Sequence, residues 1–292
     1  MHVTDTIVVV REPFAAEALL GFLAIHAVPG VETVVAGQYA RTMALPHGPA
    51  VARVQLRDRP EGVVPCRLSV HDARDAEAAV QRMRWLLDAD CVPLVVDHAL
   101  GSDPVLGPLV AANPGLRVPG SVDGFEVGVR TILGQQVTLS GGITLTARLV
   151  RSYGEPVDLG HGLTHLFPTT DAVARIDVET LAMPRARGRA LTAFASAVAS
   201  GDVVLDRSRP REEVRSGLLA LPGIGPWTAD YLAMRALGEP DAFLPTDIGV
   251  RRAATLLGRE VGDVLAASTD WRPWRSYALM HLWQALFATS TL

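Results

Sequence analysis

The chain has 292 residues, of which 49% are hydrophobic and 20% charged, a composition typical of one or two globular domains with a sizeable core. No stretch approaches the roughly 18–20 consecutive apolar residues that span a bilayer, which excludes a transmembrane helix. Asp5, Glu12 and Glu17 interrupt the pattern of a secretion signal. Two cysteines, Cys66 and Cys91, exclude a disulfide framework or a four-cysteine iron–sulfur centre. A reduced, cytoplasmic protein is the expectation.

The charged residues are unusual in kind and uneven in placement. All 27 basic residues are arginine, so no lysine amine is available for Schiff-base chemistry. Residues 1–112 carry 9 arginines and 13 acidic residues, whereas residues 113–292 carry 18 of each. The net charge of −4 argues against a protein that coats polyanions. It leaves room for a DNA enzyme with a local basic surface, because only the contacting face matters.

Residues 1–112 have the pattern of a mixed α/β domain. Apolar residues at helical spacing predict helices over 13–28 and 76–87. Between them, polar and apolar side chains alternate over 52–57 and again, after a turn, over 66–70. This alternation predicts a β-hairpin with one buried face.

The segment 113–120 (NPGLRVPG) marks a break, since helical periodicity dominates after it. One helix is predicted to present Phe125, Val129, Ile132 and Gln136 on a shared face. Further helices are predicted over 144–153, 189–199, 212–220, 226–237, 248–257 and 277–288. The predicted fold class is α+β: an N-terminal α/β domain with an antiparallel sheet over 1–112, followed by an all-α region of two helical subdomains over 113–292.

The most informative segment is 218–231, LLALPGIGPWTADY. A helix is expected to end at Leu221, and Pro226 opens the next one without losing a hydrogen bond. Gly223 and Gly225 permit a tight turn whose N–H groups face outward at a helix N-terminus, where a DNA phosphate is favoured. Ile224 can fill the gap between the helices. The alternative is a plain structural turn between packed helices.

This segment resembles the helix-hairpin-helix signature of a DNA glycosylase superfamily, with the motif at about 212–237. The segments GFLAIHAVPGVETV (21–34), PGLRVPGSVDGFEVGVRTILGQQV (114–137), FLPTDIGVRR (243–252) and WRPWRSYALMHLW (271–283) extend the resemblance in order along nearly the whole chain. Together they resemble the 3-methyladenine DNA glycosylase II family, the alkylation-repair branch of that superfamily. The resemblance implies a monomeric enzyme of base excision repair, which hydrolyses the N-glycosidic bond of alkylated purines in double-stranded DNA.

Asp247, in FLPTDIGV, matches the position of the family's essential aspartate. The sugar becomes cationic as the N-glycosidic bond breaks, and a fixed carboxylate stabilises that charge or orients the attacking water. The alternative reading is a helix N-cap, since an aspartate before an apolar helical run usually has that role. Both readings can hold together, because a cap position fixes a carboxylate rigidly.

Four aromatic residues match positions that line the family's base pocket: Phe22, Trp227, Tyr231 and Trp283. An alkylated, cationic purine stacks favourably on such rings. Their alternative role is core packing. By the same resemblance, members that also nick DNA have a lysine at the position of Trp227, which predicts a monofunctional enzyme without lyase activity.

Two further residues are expected to contact DNA. Gln136 matches the wedge that fills the gap left by a flipped base, although the usual residue there is leucine. An exposed glutamine at a helix end is the alternative. The hydroxyl of Thr228 is expected to donate to phosphate. Thr246 and Ile248 depart from the family pattern beside Asp247, which leaves the substrate range open.

No cofactor is required by this reading, but the resemblance implies a possible monovalent cation (Na⁺ or K⁺) on the carbonyls of Leu219, Leu221 and Ile224. His161 and His165 lack a third ligand, which argues against a metal site. Two other functions stay open: a related glycosylase for oxidised or deaminated bases, and a non-catalytic protein that binds damaged DNA.

Overall fold

The computed structural model describes residues 1–289, and its N-terminal part contains an antiparallel sheet of five strands in the order β1-β5-β4-β3-β2. The strands are β1 (His2–Val9), β2 (Glu32–Val35), β3 (Gln38–Leu45), β4 (Gly48–Gln55) and β5 (Val63–Val70). The predicted hairpin is β4 and β5, with Ala52 opposite Leu68 and Val54 opposite Cys66. These residues point into the core beneath the sheet, as the alternating pattern required.

Two helices cover the buried face of the sheet: α1 (Ala16–His26) and α2 (Ala76–Leu86). Leu19, Leu20 and Leu23 of α1 and Met83 of α2 pack into the same core as the inward residues of the strands. Helix α1 also contacts the helical part of the chain. Phe22 already belongs to a helical core.

The rest of the described chain is helical, which confirms the predicted fold class. The helices are α3 (Pro93–Gly101), α4 (Gly107–Ala112), α5 (Gly124–Leu133), α6 (Leu139–Tyr153), α7 (Thr170–Ala174), α8 (Arg185–Ser200), α9 (Arg211–Leu219), α10 (Pro226–Leu237), α11 (Ile248–Leu256), α12 (Val261–Ala267) and α13 (Arg275–Thr289). Within residues 1–289, no helix combines the length and apolarity needed to cross a membrane.

Helix α10 lies between two helical cores. Leu232 and Leu237 pack with residues of α5, α8 and α9, whereas Met234 packs with residues of α3, α4, α11 and α13. Helices α3 and α4 precede residue 113, yet they pack with α11 and α13 of the helical region. The predicted domain boundary between residues 112 and 113 stays a prediction. Residues 290–292, assigned to the helical region from the sequence, lie outside the described residues.

The prediction that Gln136 shares a helix face with Phe125 is wrong. Helix α5 ends at Leu133, with Gly134 as its C-cap. Gln136 follows with a φ of 55°, a left-handed conformation that does not continue a helix. It therefore lies in the exposed turn between α5 and α6.

Candidate active site

Asp247 is the N-cap of α11. Its Oδ1 accepts a hydrogen bond from the backbone N–H of Val250 at 3.2 Å, which satisfies one of the free donors of the first helical turn. The side chain lines a cavity, although the residue as a whole is only 8% exposed. Both readings of this position therefore describe the same geometry: the cap holds a carboxylate at the wall of a cavity.

Two tryptophans also donate to this carboxylate. Trp227 Nε1 lies 3.0 Å from Oδ2, and Trp283 Nε1 lies 3.0 Å from Oδ1. A carboxylate offers about four acceptor positions, so one position on Oδ2 remains for a ligand. Gly249 makes room for this arrangement, since a Cβ there would lie 2.7 Å from both Asp247 Oδ1 and Trp283 Nε1.

Aromatic rings form the wall beside Asp247. The ring centroids of Trp227 and Tyr231 are 5.2 Å apart and nearly parallel, and Tyr231 and Trp283 are 6.3 Å apart with tilted planes. All three line a cavity of about 390 Å³, within the size range of small-molecule sites. Phe22 lines the same cavity from α1. The four aromatic residues expected from the sequence therefore surround one space with the carboxylate.

Arg235 links Tyr231 to Phe22. Its Nη1 donates to the Tyr231 hydroxyl at 2.8 Å, and its guanidinium carbon lies 4.8 Å from the centre of the Phe22 ring. The remaining donors reach the carbonyls of Pro119 and Gly120. Because arginine only donates, the Tyr231 oxygen accepts and its own proton stays free to donate.

A buried ion cluster forms part of the N-terminal wall of the cavity, the side lined by α1, β2, β3 and α5. Arg41 Nη2 lies 2.5 Å from Glu126 Oε2, and Arg130 Nη1 lies 3.0 Å from both Glu126 Oε1 and Glu32 Oε2. Tyr39 donates to Glu32 at 2.6 Å. Burial alone would raise the pKa of Glu32, but the charges of Arg130 and Arg41 outweigh it and lower the pKa. The cluster pairs two cations with two anions across the junction of sheet and helices.

The turn between α9 and α10 forms the predicted hairpin. Gly223 has a φ of 77°, and a Cβ there would lie 2.7 Å from that of Ala190. Both the backbone conformation and the lack of space therefore favour glycine at this position. A Cβ at Gly225 would meet open space. Both glycines are exposed, whereas Ile224 is buried between the helices. Among residues 1–289, no acceptor bonds the N–H groups of Gly223 and Gly225.

The phosphate contact expected of Thr228 stays a prediction. Thr228 is only 3% exposed, and its hydroxyl accepts from Gln135 Nε2 at 3.2 Å. The same Gln135 amide donates to the carbonyl of Gly223 at 3.1 Å. Thr228 thus joins the hairpin to the turn that carries Gln136.

Comparison with known proteins places the chain in a family. The family described as "AlkA N-terminal domain" matches residues 7–123, and "HhH-GPD superfamily base excision DNA repair protein" matches residues 129–264. DNA-3-methyladenine glycosylase 2 of Escherichia coli is 37% identical over 276 residues, which cover 94% of each chain. The chain belongs to the DNA-3-methyladenine glycosylase 2 family.

A second similar protein is the probable bifunctional transcriptional activator/DNA repair enzyme AlkA of Mycobacterium tuberculosis. It is 46% identical over 95% of this chain, and the chain spans 56% of its length. Among solved structures, the 3-methyladenine DNA glycosylase from Archaeoglobus fulgidus has a TM-score of 0.81 with 22% identity over all of both chains. The Clostridium acetobutylicum 8-oxoguanine glycosylase/lyase bound to DNA has a TM-score of 0.74 with 16% identity, covering 99% of each chain. These two likenesses show a shared fold.

The family motifs led to Asp247 and the aromatic cage, but not to His26 and Arg235, which line the cavity, or to Gln135, which bonds the hairpin. A helical signal existed for two of these, because His26 follows Phe22 by four residues and Arg235 follows Tyr231 by four. Nothing in the sequence signalled the ion cluster, because Arg41 and Glu126 lie 85 residues apart.

The hairpin also offers carbonyls for a cation. Among residues 1–289, no backbone amide donates to the carbonyls of Leu219 and Ile224, and that of Leu221 accepts only from Ile224. Leu219 ends α9, where the helix dipole is negative. Within the same residues, no group of three or more His, Cys, Asp or Glu side chains is placed to hold a metal ion.

Proposed function

We propose that this chain is a monofunctional DNA glycosylase, which hydrolyses the N-glycosidic bond of alkylated purines, chiefly 3-methyladenine, in double-stranded DNA. The observation that carries the proposal is the carboxylate of Asp247, held by three N–H donors at the wall of an aromatic cavity. Family membership supports the reaction class.

Asp247 acts on the sugar. As the bond between C1′ and the base nitrogen breaks, its electron pair leaves with the base and the sugar becomes an oxocarbenium-like cation. The free acceptor position on Oδ2 faces that charge or takes a proton from the water that adds to C1′. Because the indoles of Trp227 and Trp283 and the helix end fix the carboxylate beforehand, no reorganisation is needed as the charge develops.

The aromatic cage acts on the base. Alkylation at N3 or N7 makes a purine cationic, and each contact of a cation with an electron-rich ring is worth about 0.5–2 kcal/mol. Trp227, Tyr231 and Trp283 supply such rings next to Asp247. An alkylated base is also a good leaving group, so its departure needs less help from a general acid.

Lyase chemistry is not part of the proposal. The usual route attacks C1′ with a lysine amine to form a Schiff base, and this sequence contains no lysine. At the hairpin, Trp227 donates to Asp247 instead. Water is therefore the nucleophile, and the product is an intact strand with an abasic site.

The DNA backbone would bind at the hairpin, and the wedge residue Gln136 would enter the DNA from the neighbouring turn. The free N–H groups of Gly223 and Gly225 support phosphate binding at the start of α10. Gln136 is exposed on the adjacent turn, and a hydrogen bond from Gln135 to the carbonyl of Gly223 connects the proposed wedge to the proposed phosphate site. As part of the same proposal, the chain acts on DNA as a monomer in the cytoplasm.

A monovalent cation at the carbonyls of Leu219, Leu221 and Ile224 completes the proposal. Carbonyl oxygens are suitable K⁺ and Na⁺ ligands, and a cation there would reinforce phosphate binding. Replacing Na⁺ and K⁺ by tetramethylammonium at constant ionic strength should weaken binding to abasic-site DNA. Unchanged affinity would remove the cation from the proposal.

The decisive experiment is mass spectrometry of the bases that the chain frees from methylated duplex DNA. We expect free 3-methyladenine, and a labelled strand that breaks only after alkali or heat. Duplexes with 8-oxoguanine or hypoxanthine test the related glycosylases. Release of those bases alone would overturn the substrate assignment, and tight binding without any free base would overturn catalysis.

A further inference from the structure

His26 is a polar residue of the cavity that the proposed mechanism does not use. It ends α1, lines the cavity and stacks on Phe22, with ring centroids 4.1 Å apart. The imidazole is thus part of the wall that a flipped base would meet. Its chemistry depends on which ring nitrogen carries the proton.

The hydrogen bonds of His26 fix its tautomer. Nδ1 lies 2.7 Å from the carbonyl oxygen of Phe22, and a carbonyl only accepts, so Nδ1 carries the hydrogen. Burial, together with the positive charges of Arg235 and Arg130, lowers the pKa of His26 to about 3. The ring is therefore neutral at physiological pH, and Nε2 presents a lone pair. Such a ring is unable to supply a proton to a leaving base.

The Nε2 lone pair is available to a ligand. Among residues 1–289, no group bonds to Nε2 of His26. This nitrogen is also not among the fully buried, unpaired ring nitrogens, which are the two of His281 within the same residues. Since the ring lines the cavity and Nδ1 is turned to its own helix, the opposite edge with Nε2 is the one left for the cavity.

The position of His26 indicates which edge of a base it meets. It stacks on Phe22, which packs under Arg235, whose Nη1 bonds the Tyr231 hydroxyl. These contacts lead from His26 through Phe22 and Arg235 to Tyr231, which stacks on the Trp227 that bonds Asp247, so no direct contact joins His26 to that carboxylate. A purine with its sugar at Asp247 points its opposite, Watson–Crick edge away from that carboxylate. In the inference below, this edge meets His26.

We infer that His26 is a specificity-determining residue: its Nε2 accepts a hydrogen bond from an exocyclic amine or ring N–H on the Watson–Crick edge of the flipped purine. The inference rests on the proposed function and sharpens its substrate class to purines with such a donor. Tyr231 complements His26, because its free hydroxyl proton suits the acceptor that adjoins the donor on adenine and guanine.

The test compares two free bases that differ only in the donor. Release of 3-methyladenine from methylated DNA is measured with added free 3-methyladenine or with free 3-methylpurine, which lacks the 6-amine. We expect 3-methyladenine to inhibit at a concentration roughly fivefold to tenfold lower, the usual effect of one neutral hydrogen bond. Equal inhibition by the two bases, or none by either, would overturn the inference.

Variants assign the effect to the imidazole. His26→Phe keeps a ring on Phe22 but removes the lone pair, and should bring the inhibition ratio to about one. His26→Gln restores an acceptor oxygen and should recover part of the ratio. The matched control is His98→Phe, since His98 is exposed on α3 and does not line the cavity.

Thermal unfolding checks that each variant is folded, and His26→Ala supplies the same comparison if the phenylalanine variant is not. A wild-type ratio retained in both His26→Phe and His26→Ala would exclude this role of His26. A wild-type chain that releases no alkylated base would instead overturn the proposed function, so the two failures are distinguishable.

Discussion

The two walls of the cavity are built in different ways. The C-terminal wall is organised around one carboxylate, since Trp227, Trp283 and the first turn of α11 all direct N–H groups at Asp247. The N-terminal wall contains the neutral ring of His26 and the paired charges of the ion cluster, Arg41, Glu126, Arg130 and Glu32.

The difference shows how the molecule separates chemistry from support. On the C-terminal wall, the charged group faces the cavity and its donors leave one acceptor position open. On the N-terminal wall, the charges of Arg41 and Arg130 are neutralised by Glu126 and Glu32. We therefore expect substitutions on the first wall to reduce base release, and substitutions in the ion cluster to reduce stability.

The largest effect is expected for Asp247→Asn. The amide lacks the charge that stabilises the sugar cation, and its NH₂ is unable to accept from an indole, so base release should fall by about 10³-fold or more. Binding to abasic-site DNA should persist. Single-turnover release assays measure the first quantity and fluorescence anisotropy the second.

The matched control is Asp123→Asn, since Asp123 caps α5 in the same way but does not line the cavity. Release by Asp247→Asn within a few fold of the wild type would rule out the assignment of Asp247.

The ion cluster should govern stability. Glu126→Gln leaves Arg41 and Arg130 without one of their carboxylates in a buried setting, and should lower the free energy of unfolding by about 3–5 kcal/mol. In the control Glu17→Gln, an exposed pair with Arg57 is lost, and the change should stay within about 1 kcal/mol. Urea unfolding at neutral pH compares them. Equal losses would mean that the cluster does not support this wall.

Asp88, which follows α2, links the N-terminal part to the helices, since it accepts from the backbone of Val118 and from the Tyr277 hydroxyl of α13. Burial raises the pKa of Asp88 to about 6. An acid with a raised pKa in the folded state ionises less readily there than in the unfolded chain. The wild type should therefore lose stability as pH rises from about 4 to 6, on the order of 2–3 kcal/mol.

Asp88→Asn keeps the acceptor oxygen without the charge, so it should lack this loss. The difference in unfolding free energy between the variant and the wild type, measured below and above that interval, reports it. A difference that does not change with pH would show that Asp88 titrates normally.

The smallest of these effects concerns the packing of the carboxylate wall. Gly249→Ala places a methyl group between Asp247 and Trp283, which should break their hydrogen bond and reduce release roughly tenfold. Gly262→Ala is the matched control, because a Cβ at that helical glycine meets nothing within 4 Å. If both variants release base at the wild-type rate, the indole of Trp283 is not needed to hold the carboxylate.

Some strands of the sheet could be predicted from the sequence and others could not. The hairpin of β4 and β5 was predictable because its side chains alternate between the core and the other face. Strand β3 was not, since Arg41 and Thr42 are buried beside apolar neighbours and hide the alternation. Arg41 is buried because Glu126 pairs with it, and Glu126 belongs to a helix that folds onto the sheet from far along the chain.

The site divides in the same way. Asp247 and the aromatic cage were predictable because family motifs carry them and a helix cap fixes the aspartate locally. Gln136 was placed in a helix that Gly134 in fact ends, and the contact of Thr228 with Gln135 was not foreseen. Turn geometry and tertiary contacts of this kind are not encoded in local periodicity.

The pairing of two indoles with Asp247 has a practical consequence. Of the five tryptophans in the chain, Trp227 and Trp283 place their N–H groups against the same anion. Anything that inserts between these rings or withdraws that anion changes the surroundings of both chromophores. The protein thus carries its own optical reporter, and damaged DNA can be titrated by intrinsic emission without attaching a dye.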